Sequence, residues 1–287
     1  MGSKSWGVWG LLSLVGCAGA ARGAVPGAAP PEQKDAHSAA EFPGLSGLTD
    51  DQVGVHSLEA PFETSIHTSI VREGSLPSAC VELLARAQWR QDVVLSTWAP
   101  AHFDNCRFDD SAQYIAALLG DAEAAVARRD RDTMMVDLGR ALHAVQDFYA
   151  HTNYVELMAH DIPSFADVPV VDVWHAGARD RLHALAAKGL VSGEVWWEAG
   201  SVCAPPLRTH AELNKDSPKS AEGGKLAAPW DMTGFRAAHE LALRATHEYL
   251  HEFLSRPAWK GLLGDCAGTL GFGADGDGRA GLDQGPP

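Results

Sequence analysis

Between about residue 46 and residue 262, apolar positions recur mostly at helical spacing. Val81, Leu84, Ala85 and Gln88 keep that spacing and lead on to Asp92. Residues 111–129, SAQYIAALLGDAEAAVARR, predict an amphipathic helix. After a break at Asp130–Asp132, a second helix is predicted over 133–152. A third is predicted over 167–188, with Pro169 near its first turn, and a last one over 232–255. Residues 201–231 combine prolines with the adjacent Gly223 and Gly224 and read as a long irregular segment. No alternating run predicts a strand. The expected fold is all-α, a single compact helical domain over 46–262 between flexible ends: a leader (1–20), a linker (21–45) and a Gly-rich tail (263–287).

The helix over 133–152 separates two kinds of side chain. Leu138, Leu142, Val145, Phe148 and Tyr149 form an apolar stripe. His143, Asp147 and His151 follow one another at steps of four, which on a helix drift by only about 40° per step. Two imidazoles and a carboxylate therefore share one side, beside the small residues Gly139 and Ala150. Neutral His nitrogen and Asp oxygen are good zinc donors, so a metal site is one reading and a solvent-wetted polar face is the other. On the last helix, His239 falls among Phe235, Ala242, Leu243, Thr246, Leu250 and Phe253, where a buried imidazole needs a partner. His247 and His251 share an edge with Glu240 and Arg244 and read as surface.

Composition adds three constraints. Apolar residues make up 46% of the 287-residue chain, enough for a sizeable core. The formal net charge of −14 disfavours a dedicated nucleic-acid binder, so no specific nucleic-acid partner is expected. Met1–Ser5 with Lys4, then the apolar run Trp6–Gly16, read as an export signal too short to span a bilayer as a mature helix. That run ends in Leu14-Val15-Gly16-Cys17, which resembles a bacterial lipobox. The expected location is outside the cytoplasm, as a periplasmic or outer-membrane lipoprotein anchored through Cys17, or as a secreted protein cleaved near Ala18-Gly19-Ala20. Without Cys17 four cysteines remain, Cys80, Cys106, Cys203 and Cys266, which permit two disulfides in any of three connectivities.

Two further strings bear on the chemistry: AHFDNCRF, holding His102, Asp104 and Asn105, and HTSIVREGSL, which begins at His67. With QDFYAHTNYVE and LNKDSP, their order resembles the zinc-dependent phospholipase C superfamily over about residues 56–256. More closely, it is similar to the branch related to fungal HET-C heterokaryon-incompatibility proteins. The superfamily also includes single-strand-specific zinc nucleases. The resemblance implies a helical domain with two or three zinc ions in a cleft. It implies metal ligation by His67, Asp92, His102, His143, Asp147, His151 and His239, with Asp147 shared between ions and Asp92 also acting as general base. Two departures stand out. Position 243 holds Leu where the family often has an acid, which leaves Glu156 as a substitute carboxylate, and no processing site lies just before a Trp near the domain start.

The expected activity is hydrolysis of the glycerol-phosphate ester of phospholipids by metal-activated water, at a phospholipid or membrane surface. In that scheme His210, Asn214 and Asp216 would line the head-group side. Two alternatives stay open: a single-strand zinc nuclease, and a metal-stabilised HET-C-like interaction protein without turnover.

Overall fold

The computed structural model describes residues 64–73, 76, 78–195 and 200–263, all within one compact unit of the chain. The expected leader, linker and Gly-rich tail, with Cys17 and Cys266, lie outside the described residues. In chain order the helices are α1 (Thr64–Glu73), α2 (Ser78–Val94), α3 (Phe108–Arg128), α4 (Arg131–His151), α5 (Tyr154–Asp161), α6 (Ala178–Ala186), α7 (His210–Leu213), α8 (Gly234–Ser255) and α9 (Pro257–Leu263). The all-α class is as expected. The described residues contain no strand, only isolated bridges such as Thr152 with Ser192. None of their helices is long and apolar enough to cross a membrane.

Helix α4 is the centre. Asp130 caps it by accepting from the Thr133 amide at 3.1 Å, and Asp132 in the first turn suits the helix dipole. From Leu138 to His151 every residue is buried. The apolar stripe meets the core; α2, α3 and α8 pack around the helix, and His67 of α1 reaches its polar side. The polar side is therefore enclosed rather than wetted, and the solvent-face reading of His143, Asp147 and His151 fails. Gly139 explains how closely α2 approaches: a Cβ there would lie 2.8 Å from Ala87 Cβ and 2.8 Å from the Leu84 carbonyl oxygen. The space beside Gly139 is filled by a neighbouring helix.

Two expected elements differ. The helix predicted over 167–188 forms only as α6, and Gly177, at φ +84°, precedes it. Before it, Val168, Val171, Val173 and Trp174 are buried along non-helical backbone. The Val171 amide donates to the Tyr149 hydroxyl, and the Tyr154 hydroxyl donates to the Pro169 carbonyl. β-Branched residues next to a proline pack there as an extended strap. On α8, Ala242, Thr246, Leu250 and Phe253 of the expected stripe are buried, with Ala237, Ala238, Leu241, Ala245 and Tyr249 beside them, whereas Phe235 and Leu243 flank the core. Small residues mark the side where another helix comes close, and ranking positions by bulk alone draws the edge of the face one step off.

A loop of special backbone follows the 3-10 turn Ala99–His102. Phe103, Asn105 and Cys106 have φ of 56°, 58° and 55°. Asn105 holds its place by accepting from the Val195 amide at 2.8 Å and donating its own amide to Gly193. The Cys106–Cys203 disulfide ties the same loop to the irregular segment. Cys80 is also disulfide-bonded.

Candidate metal centre

Six of the seven expected ligands converge. Asp92 comes from the last turn of α2, His102 from the 3-10 turn, His143, Asp147 and His151 from α4, and His67 from the first half of α1. Around Asp147 Oδ2 stand His143 Nε2 at 2.9 Å and His102 Nδ1 at 2.9 Å. His143 Nε2 is also 3.2 Å from Asp92 Oδ1 and 3.2 Å from His102 Nδ1. Zinc–donor bonds of about 2.0–2.1 Å in a tetrahedron separate the donors by about 3.3 Å. His102, His143 and Asp147 thus have the donor types and nearly the spacing of a tetrahedral zinc site, and Asp92, which groups with His67 and His143, completes a quartet through its contact with His143. Asp147 Oδ1, Asp92 Oδ2 and His143 Nδ1 are buried and have no hydrogen-bond partner among the described residues. Buried oxygens left in that condition are costly unless a cation meets them.

The hydrogen bonds assign the ring tautomers. His102 Nε2 is 3.2 Å from the Leu95 carbonyl, which only accepts, so that nitrogen donates and Nδ1 faces Asp147 Oδ2. His151 Nδ1 donates to the His102 carbonyl at 2.8 Å, so Nε2 faces Asp216 Oδ1 at 3.2 Å and Asp147 Oδ1 at 3.9 Å. Gln146 gives its amide hydrogens to Thr246 and receives Gln88 on Oε1. The same Oε1 accepts from His67 Nδ1 at 2.6 Å, leaving His67 Nε2 facing Asp147 Oδ1 at 3.3 Å. In each of these three rings one nitrogen donates outward and the other faces a carboxylate. Metal-ligating histidines are held in this way.

A second group lies beside the quartet, and it includes residues the sequence did not mark as ligands. His210, at the start of α7, packs edge-on to His151 with ring centroids 4.4 Å apart. Asp104, His151 and His210 each bring one donor atom within 4.8 Å of the others. Asp104 Oδ1 lies 3.0 Å from His210 Nδ1, while Asn214 Nδ2 stands 3.4 Å from Nε2. Asn214 Oδ1 accepts the Asp216 amide, so its NH2 faces the ring. His210 therefore donates through Nδ1 to Asp104 and turns Nε2 inward, 3.9 Å from Asp216 Oδ2. His151 Nε2 and His210 Nε2 thus both face Asp216, and Asp104 backs His210 on its other nitrogen. HFDN and LNKDSP contain Asp104 and Asp216, yet no spacing links them to α4. The only sequence signal was a His and an Asp on a long irregular segment.

Two expectations are corrected. His239 belongs to neither group. It sits on the flank of α8 with Nε2 3.9 Å from Glu73 Oε1, because the core-facing side of that helix is the alanine side. Glu156, the substitute carboxylate, pairs instead with the fully buried Lys215 at 3.1 Å. His251 is exposed as expected, while His247 is half-buried.

The electrostatics follow from this crowding. Burial disfavours the charged form of His143, but Asp147 and Asp92 together outweigh it and raise the pKa to about 10. For His151 burial is likewise overcome, by Asp216, Asp147 and Asp104, and its pKa lies well above the ordinary value. Burial would raise Asp147, yet His143, His151 and His67 hold it well below the ordinary carboxylate value.

Comparison with known proteins places one segment. Residues 68–171 are similar to the VWA7 N-terminal domain. The match covers about a third of the chain and includes Asp92, His102, Asp104, His143, Asp147 and His151, but not His67, His210 or Asp216. No curated protein and no solved structure matches.

Proposed function

We propose that this chain is an exported zinc-dependent phosphodiesterase of the phospholipase C type. The observation that carries the reading is the inward-facing ring nitrogens of His67, His102 and His151 around the Asp147 carboxylate, each ring fixed by a donor bond on its far side. Asp92, His102, His143 and Asp147 would hold one ion, and His151, His210 and Asp216 a second. Asp147 Oδ1 lies between them and toward His67. Nitrogen and oxygen donors in an oxidising compartment suit zinc.

A divalent cation held by these residues would polarise a phosphoester oxygen and lower the pKa of water toward about 7. Asp92 would act as base: its Oδ1 faces His143, and its Oδ2, buried and without a hydrogen-bond partner among the described residues, is the oxygen that would take a proton from water admitted to the site. The water oxygen bonds to phosphorus, the bond to the glycerol oxygen breaks, and the proton held by Asp92 passes to the departing diacylglycerol. The net charge of −14 favours a lipid head group over a nucleic-acid polyanion.

A second reading, a metal-stabilised HET-C-like protein without turnover, is favoured by the enclosure of the site. His102, His143, Asp147, His151 and Asp216 have side chains no more than 4% exposed, so only Asp92 and His210 open to solvent. One experiment separates the readings. Zinc-loaded protein is incubated with phosphatidylcholine vesicles and, in parallel, with single-stranded DNA. Head-group release that is lost in Asp92→Asn, with the fold retained, supports the phospholipase. Cleavage of DNA alone supports a nuclease. A zinc-dependent gain in melting temperature with neither product supports the non-catalytic reading.

A further inference from the structure

The chain contains one fully buried lysine, Lys215, among the described residues. Its ammonium donates to the carbonyls of Thr152 and Leu213, both at 2.8 Å, and reaches Glu156 Oε1 at 3.1 Å. All three of its N–H donors are thereby used. Its backbone amide donates to the Ala150 carbonyl at 3.1 Å. The acceptors Ala150 and Thr152 flank His151, at the carboxyl end of α4, where carbonyls lack helical partners and a cation is favourable. Leu213 and Lys215 itself flank Asn214, next to Asp216. One side chain therefore stitches the segment bearing His210 and Asp216 to the helix end bearing His151. Enclosing an ammonium is expensive, and an apolar side chain of the same volume would cost less if filling space were the only need.

We infer that Lys215 is a positioning residue that assembles the second half of the metal centre, holding His210 and Asp216 against His151. It acts on that half alone: none of its contacts involves Asp92, His102, His143 or Asp147. This rests on the reading that the cluster binds divalent cations.

The test is zinc content, measured by mass spectrometry on the full chain after loading and desalting, with the visible spectrum of the cobalt-substituted protein alongside. Wild type should retain zinc in both halves. In Lys215→Met the second ion should bind roughly 10–100-fold more weakly, while the ion of the Asp92–His102–His143–Asp147 quartet stays and the circular dichroism is unchanged. Glu156→Gln keeps the ammonium and its two carbonyls, so it should fold in any case and weaken the second ion by about tenfold. If folded Lys215→Met keeps both ions, or loses both alike, the inference is overturned. Should Lys215→Met not fold, an unchanged second ion in Glu156→Gln overturns it instead. Wild type that takes up no zinc defeats the metal reading itself, a different result from wild type and Lys215→Met binding equally.

Discussion

Gln146 offers the sharpest test of how the centre is held. It is fully buried, as are His67, Gln88 and Thr246, the three residues its amide joins. Gln146→Leu keeps the volume but strands three buried groups: His67 Nδ1, Gln88 Nε2 and the Thr246 hydroxyl. Each orphaned group costs about 1–3 kcal/mol. Apolar burial of the new leucine recovers about 2 kcal/mol, so with about 2 kcal/mol for each of the three groups the metal-free protein should lose about 4 kcal/mol. The His67 ring is then free to carry its proton on either nitrogen, and zinc affinity should fall roughly 10–100-fold. Gln146→Glu is the control. Its carboxylate still accepts from His67 and Gln88, and the Thr246 hydroxyl reverses to become the donor. It should hold zinc within about threefold of wild type, because a carboxylate behind a ligating imidazole raises its basicity. Urea unfolding in chelator measures the first effect, and competition with a chromophoric zinc chelator measures the second. Equal zinc affinities for the leucine and glutamate variants would refute the claim that Gln146 sets the His67 tautomer.

The remaining predictions concern the ligands, the helix contact and pH. His210→Ala should lose one zinc equivalent, whereas His239→Ala, a change near Glu73 on the flank of α8, should lose none; elemental analysis of the two purified variants distinguishes them. Gly139→Ala must push α2 away from α4, since its Cβ would sit 2.8 Å from Ala87 Cβ. It should cost about 1–3 kcal/mol, read as a lower melting temperature, and weaken zinc binding by moving Asp92 relative to His143. The pKa of His143 is raised from 6.5 to about 10, so in chelated protein its ion-pair stabilisation is complete below about pH 6.5 and is lost as pH climbs toward 10. Zinc must displace that proton, so the melting-temperature gain on adding zinc should grow across the same window, and thermal scans with and without chelator should show opposite slopes.

Local spacing alone determined a good deal. The step of four that puts His143, Asp147 and His151 on one side of α4 is a property of a single helix, and so is the apolar stripe beside it. An i, i+4 relation needs no knowledge of what lies across from it. Whether that side met water or protein was outside its reach, and packing by α1 and α2 decided it. The last helix shows the same limit. The period of α8 was legible, but which arc faces inward depended on where another helix approaches its alanines, and this removed His239 from the site. The second half of the centre depended most on tertiary structure. Asp104 and Asp216 lie on irregular backbone, where direction is not set by residue number, and His210 opens the one-turn helix α7 within the irregular segment. Their positions come from positive-φ turns, the Cys106–Cys203 bond and the buried Lys215 ammonium, each of which joins parts of the chain far apart in sequence.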